Sequence, residues 1–195
     1  VAANMRGTDS HGIARLPHYI ARLRAGSIEP QPRLRIITSR GATALVDGGH
    51  GLGQVVNQFA IGVAMQRARK FGVGWVAIRN SSHCGALAYF GRQMAKADMI
   101  GIVFSHVDPM VLPFGARRPF HGTNPICIAL PAAGGEMFCL DMATSIVPWN
   151  VVQNARIEGR KIAPRLAVDK NGRETTDPNR VHALYPFGGH RGSGL

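Results

Sequence analysis

Three side chains near the start of the chain have the types and spacing of an acid–base site. In "RGTDSHGIARLPHYIARL", residues 6–23, His11, Arg15 and Tyr19 fall at i, i+4 and i+8. On one helix that spacing stacks them along a single face. Histidine is the usual proton donor and acceptor near neutral pH. A guanidinium grips a carboxylate through two parallel hydrogen bonds, and a phenol can orient the remaining oxygens. Together they suit a 2-hydroxy or 2-keto acid. Asp9 and Ser10 are candidate N-caps, and Ile13, Leu16, Ile20 and Leu23 would form the packing stripe of the same helix.

A second histidine, His83, lies in "NSSHCGA", between a strand pattern and a helix pattern. Turns at the carboxyl ends of strands are where open α/β sheets place ligands. Asn80, Ser81 and Ser82 are candidates for fixing the tautomer of His83 by a hydrogen bond. "GGHGLGQ" also sits between a strand and a helix, but Gly49, Gly51 and Gly53 do not spell GxGxxG, so it reads as a tight turn. "HGTNP" and "LDMATS" offer backbone N–H groups and hydroxyls to a phosphate or a ribose. The eight histidines lack an HExxH context and the cysteines lack CxxC, so no metal is expected.

These groups need a frame, and the periodicity supplies one. The first helix should stop near Gly26, and "SIEPQPR" is a loop. "LRIIT" and "TALVDG" read as strands around a turn at Arg40-Gly41. An amphipathic helix follows over about 54–70, with Val55, Val56, Phe59, Ala60, Val63 and Ala64 inward. "VGWVAIR" reads as a buried strand, "ALAYFGRQMAKAD" as a helix and "MIGIVFS" as a strand. Residues 43–104 thus alternate strand, helix, strand, helix, strand, which predicts an α/β fold with helices packed on a sheet. "VDPMVLPFGARRPFHGTNP" is a long structured loop, "ICIALP" and "MFCLDMA" form a hairpin, and "TSIVPWNVVQNAR" is a helix with Pro148 in its first turn. "AVDKNGRETTDP" is polar turn material.

The bulk properties narrow the function classes. The chain has 195 residues and a formal net charge of +12. That charge suits anionic small molecules or a polyanion. The basic residues are scattered, and neither an RNA-binding aromatic signature nor zinc-finger spacing is present. This argues against nucleic acid, although a basic polyanion-binding module is the competing class. No run of about 18 apolar residues is present, so no membrane span is expected. Three cysteines, Cys84, Cys127 and Cys139, are an odd count that fits a reduced, cytoplasmic setting.

Taken in order, "RGTDSHGIARLPHY", "DGGHGLGQ", "NSSHCGALAYF", "DPMVLPFGA", "HGTNP", "LDMATS", "AVDKNGRETTDP" and "PFGGHRGSGL" resemble the malate/L-lactate dehydrogenase-like family, which is distinct from the Rossmann lactate dehydrogenases. The resemblance covers nearly the whole chain. "DPMVLPFG" and "VHALYP" are most similar to its ureidoglycolate dehydrogenase branch. The resemblance implies a cytoplasmic oxidoreductase, a homodimer or larger, that moves a hydride between NAD or NADP and a small 2-hydroxy/2-keto acid. It implies a mixed β-sheet with flanking helices, a family-specific NAD(P)-binding fold that is not a Rossmann fold.

By position, His83 and His11 match the family's active-site histidines, with His83 the proton acceptor. Arg15 and Tyr19 match substrate-binding positions. Asp141, Met142 and Ala143 match a cofactor-binding loop, and Arg191 matches a cofactor-contacting lysine. Val107 stands where relatives carry a serine, and Ser193 where a tyrosine is expected. The same comparison implies one incomplete oxidoreductase unit over 1–195, with the substrate-site helix and first strand in 1–40 and a cofactor-binding domain in 41–195. Segments at both ends of the family pattern are missing, so a catalytically inactive fragment is the alternative.

Overall fold

The computed structural model describes residues 2–189. Two compact units divide the chain: Val1–Ile102 with Ile128–Cys139, and Val103–Cys127 with Leu140–Leu195. The first begins with three short 3-10 turns, Asn4–Arg6, Asp9–His11 and Ile13–Arg15, and only then a regular helix, α1 (Leu16–Arg24). The single helix expected over residues 6–23 is therefore corrected. Pro17 occupies its first turn. In the interior of a longer helix this proline would remove a hydrogen bond and clash with the preceding turn, whereas at the start both costs vanish. Asp9 and Ser10 cap nothing, because no side chain caps α1. Its expected packing stripe is also largely exposed, with Ile13 at 66% and Leu16 at 50%. The helix ends as expected: Gly26 takes a left-handed φ of 68° and donates to the Leu23 carbonyl.

Strands β1 (Arg35–Arg40) and β2 (Thr43–Asp47) pair antiparallel, as the Arg40-Gly41 turn predicts. β2 pairs parallel with β3 (Trp75–Arg79), Thr43 opposite Trp75 and Asp47 opposite Arg79. Parallel neighbours need a crossover, here α2 (Gly53–Phe71). Val56, Ala60 and Val63 are buried as expected, while Val55 is exposed and Ile61 joins the core. β3 is an edge strand rather than a buried one, with Trp75 62% exposed. After α3 (Ala88–Ala95), the predicted alternation holds in order but not in one sheet. β4 (Gly101–Phe104), β5 (Ile126–Pro131) and β6 (Met137–Met142) form a second three-stranded sheet in that order. The architecture is thus mixed α/β, and the described residues do not form the single doubly wound parallel sheet of a Rossmann fold.

The second unit holds α4 (Trp149–Ile157), capped by Pro148 in an extended conformation. Val152 and Ala155 of α4 pack with Val111, Ile162, Ala167 and Leu184 in a closed core. β7 (Ala167–Val168), at the start of the stretch expected to be turn material, pairs antiparallel with β8 (Ala183–Leu184). Buried Asp169 supports the turn between them. Its carboxylate accepts from the backbone of Asn171 and Arg173 and from the Arg180 guanidinium.

Candidate active site

The carboxyl ends of β2 and β3 build the loop that carries His83. Asp47, the last residue of β2, is 3% exposed. It accepts hydrogen bonds from the backbone of Gly49, the guanidinium of Arg79 and the amide of Asn80. These bonds hold its carboxyl down at about 2, the Gly49 N–H contributing most. The backbone N–H of His50 then donates to the Asn80 carbonyl, and that of Gly53 to Ser82 Oγ. So "DGGHGLG" is a tight turn, as read from its glycines, and its work is to brace the "NSSH" loop.

Gly53 is where that brace is tightest. A Cβ there would stand 2.2 Å from the Ser82 carbonyl oxygen and 2.6 Å from that of His83. Both obstacles are backbone. Gly53→Ala is expected to destabilise the chain by about 1–3 kcal/mol as the loop is forced aside. Gly62→Ala, in the same helix with nothing within 4 Å of its Cβ, is expected to stabilise by about 0.5–1 kcal/mol. Thermal unfolding of the two variants checks this; equal melting temperatures would contradict it.

The loop brings His83 to the residues singled out near the N-terminus. The Tyr19 hydroxyl lies 2.7 Å from His83 Nδ1. The rings of His11 and His83 stack with centroids 5.6 Å apart. His18, on α1 beside Tyr19, meets His83 edge to face at 6.5 Å. Arg15 donates through Nε to the Ser10 carbonyl at 2.9 Å, and its charge acts on both Tyr19 and His83. His11, Tyr19 and His83 therefore meet, with the charge of Arg15 acting on them, but not by the expected route. His11 sits on its own 3-10 turn, held by a hydrogen bond between Asn4 and Asp9 and by Ile13 N–H donating to Asn4 Oδ1. Tertiary packing replaces the single helical face.

The electrostatics follow from this crowding. Burial pushes the His83 imidazole down to about 4, and the positive charges of Arg15, His11, His18 and Arg22 act in the same direction. Burial raises the Tyr19 phenol above its ordinary value, with Cys84 adding to the effect and Gln54 and Arg15 opposing it. Asn80, Ser81 and Ser82 do not set the tautomer of His83. Ser82 is spent on Gly51 and Gly53, and Asn80 on Asp47. Tyr19 and the backbone N–H of Gly85 meet Nδ1 instead, the latter at 3.3 Å.

Beside this cluster is an open cleft of about 810 Å³, lined by His11, Tyr19, Gln54, Cys84 and Tyr89 among others. That is room for a small organic acid. His83 touches two lining residues, His11 and Tyr19, and reaches the cleft through them. Sequence reasoning missed His18, Gln54 and Gly85. Nothing in their spacing marks them, because each joins the site only through the fold.

The cofactor-loop residues Asp141, Met142 and Ala143 belong to the second unit, at the end of β6. The "LDMATS" and "HGTNP" segments meet there: Thr144 donates through Oγ1 to the Asn124 carbonyl and through its N–H to the Thr123 carbonyl. Gly122 is packed so closely that a Cβ would stand 2.4 Å from the Val107 carbonyl. These bonds tie the two segments together, with Asp141 exposed and Met142 and Ala143 half-exposed beside them. Arg191 and Ser193 lie outside the described residues. Among the described residues no His/Cys/Asp/Glu group has the arrangement of a metal site, and no helix is long and apolar enough to cross a membrane.

Comparison with known proteins gives a consistent result. A family model described as malate/L-lactate dehydrogenase matches residues 1–195. The chain is 42% identical over 197 residues to an L-sulfolactate dehydrogenase of Methanocaldococcus jannaschii, covering 100% of this chain and 57% of that protein. It is 40% identical over 195 residues to the ureidoglycolate dehydrogenase (NAD(+)) of Escherichia coli K12, covering 100% and 56%. Among solved structures, a δ1-piperideine-2-carboxylate reductase from Pseudomonas syringae superposes with a TM-score of 0.92 at 36% identity, covering 99% of this chain and 59% of that one. A dehydrogenase from Sinorhizobium meliloti gives 0.94 at 42% identity, covering 99% and 57%. The chain thus spans little more than half the length of the relatives it matches.

Proposed function

Because the chain belongs to the malate/L-lactate dehydrogenase family, we propose that it is the part of an NAD(P)-dependent dehydrogenase that binds a small 2-hydroxy/2-keto acid and handles its proton. The observation that carries this reading is the meeting of His11, Tyr19 and His83, two of which line one cleft, with the charge of Arg15 acting on the pair Tyr19 and His83. Residues 1–40 supply most of the substrate-facing side chains, and 41–195 the cofactor-binding part. The family relatives named for sulfolactate and ureidoglycolate act on acids of the size this cleft admits. The full protein is cytoplasmic and works as a homodimer or larger assembly.

The residues divide the work by their chemistry. Arg15 binds the carboxylate, since a guanidinium is a fixed cation that selects an anion. Tyr19 orients the bound acid. His83 takes the hydroxyl proton on oxidation and returns it on reduction, and His11 hydrogen-bonds the same oxygen. A His83 held neutral at physiological pH is ready to accept, and its conjugate acid is strong enough to protonate a carbonyl oxygen promptly. A bound carboxylate offsets the neighbouring cations, and so raises His83 towards the pH at which the exchange is balanced. A nicotinamide cofactor, when bound, supplies the hydride chemistry at the carbon that bears the oxygen. Asp141, Met142 and Ala143 would hold its nucleoside part, with Arg191 as a further contact.

The test is a fluorescence titration of the purified protein with NADH and with NADPH, followed by addition of 2-keto acids. Saturable binding and acid-dependent oxidation of the reduced cofactor are expected. A folded protein that binds neither cofactor, alone or with an acid present, would overturn the reading for this chain.

A further inference from the structure

We infer, on the basis of the function proposed above, that the cleft beside His11 and Tyr19 selects acids whose side arm is apolar, an aryl group above all, and that Leu16, Val55, Phe59 and Tyr89 choose that arm. Val55 and Phe59 lie one turn apart on α2. Tyr89 lies on α3, and Leu16 begins α1. All four line the cleft that His11 and Tyr19 also line. Leu16 is 50% exposed, Tyr89 48% and Val55 46%. Apolar surface of this wall is therefore open to water, and covering it with an apolar group releases free energy.

Charge and size point the same way. Among the described residues that line the cleft, none is Asp, Glu, Lys or Arg. The charge of Arg15 acts on Tyr19 and His83, and in the proposed function it is used by the carboxylate that every 2-hydroxy acid carries. Arg22, the other arginine acting on His83, donates to Ser27 Oγ at 3.2 Å. A second anionic group, whether a sulfonate or another carboxylate, would lie against Leu16, Val55 and Phe59 with no cation in the wall. An unpaired charge on apolar surface loses hydration that nothing there restores. An aryl arm has no such cost. The cleft, about 810 Å³, is also of the size that takes ligands well beyond three or four carbons, and a ring on the third carbon uses that space.

The wall is held in place by contacts of its own. The side-chain amides of Gln58 on α2 and Gln93 on α3 bond each other reciprocally, Nε2 to Oε1, at 2.9 and 3.1 Å. That pair ties together the two helices that carry Val55, Phe59 and Tyr89. The Tyr89 ring stands edge to face with the fully buried Phe90 ring, centroids 5.2 Å apart. Little binding energy is then lost to ordering the wall when a ligand enters. A held phenol ring offers an aryl arm the offset or edge-to-face pairing that aromatic groups favour.

The test is methyl NMR of the purified chain, labelled at leucine and valine and titrated with 3-phenyllactate, malate and lactate, with and without NADH. Phenyllactate is expected to shift the Leu16 and Val55 methyl signals. It should half-saturate them at a concentration at least about tenfold below that of malate or lactate, the usual worth of a well-covered apolar group. Val55→Arg and Leu16→Arg each place a cation in the wall at an exposed position, and each is read at the other residue's methyl signals. In both variants the order should reverse, with malate bound more tightly than phenyllactate. Malate bound as tightly as phenyllactate by the wild-type chain, or an order that neither arginine changes, would overturn the inference and leave an acid-binding site in place. Binding of none of the three acids, with or without NADH, would overturn the proposed function as well.

Discussion

Replacing His83 by alanine in the complete enzyme is expected to lower turnover by about 10²–10⁴-fold, the usual contribution of a positioned acid–base. The alanine variant keeps the braced loop, because that loop is held by Asp47, Asn80 and Ser82 rather than by the imidazole. It loses the hydrogen bond between Tyr19 and the ring. The loss should therefore fall mainly on kcat. Binding of the acid depends on Arg15 and should change less, so KM is the internal control. Steady-state rates with reduced cofactor and a 2-keto acid check this. A His83→Ala enzyme with wild-type kcat would remove His83 from the proton's path.

Acid is expected to destabilise the chain through the same residue. In the folded chain His83 titrates near 4, against an ordinary value of 6.5. Between those values the unfolded chain binds a proton that the folded chain refuses. Stability therefore rises with pH across this window, and it is lost as pH falls from about 6.5 towards 4. The difference corresponds to on the order of 2–3 kcal/mol once partial solvent access is allowed for. Its cause is chiefly the burial of the ring, then the cations around it. Urea unfolding at a series of pH values should show this slope, and His83→Gln, which cannot titrate, should flatten it. An equal slope in both proteins would mean that another group controls the acid limb. Asp47 and Asp169 are also held low by hydrogen bonds. Their loss of stability belongs at lower pH, below the ordinary carboxylate range, and the two effects separate.

Several parts of this molecule are legible in its residues alone. The turn at Arg40-Gly41, the long helix after "GGHGLG", its end just before Gly72, where φ is 80°, and the end of α1 near Gly26 all follow from local rules. Glycine alone takes the left-handed conformation without penalty, and periodic apolar residues need a face to bury. The types of His11, Arg15, Tyr19 and His83 already indicate an acid–base site for an anionic substrate, because protonation and carboxylate binding are properties of side chains.

The geometry of that site was decided elsewhere. Pro17 breaks the single helix on which the N-terminal trio was expected, a local signal that the spacing argument overrode. The partner of His83 comes from a residue 64 positions away, and no pattern along the chain records that distance. Nor can sequence tell that β4 leaves the sheet of β2 and β3, since a strand's choice of neighbour depends on which faces the other elements have already covered. Gln54 shows the limit best. Beside a glycine turn it reads as an ordinary polar helix residue. Only the fold sets its side chain in the wall of the cleft with His11 and Tyr19, because a cleft is formed by elements that lie far apart along the chain.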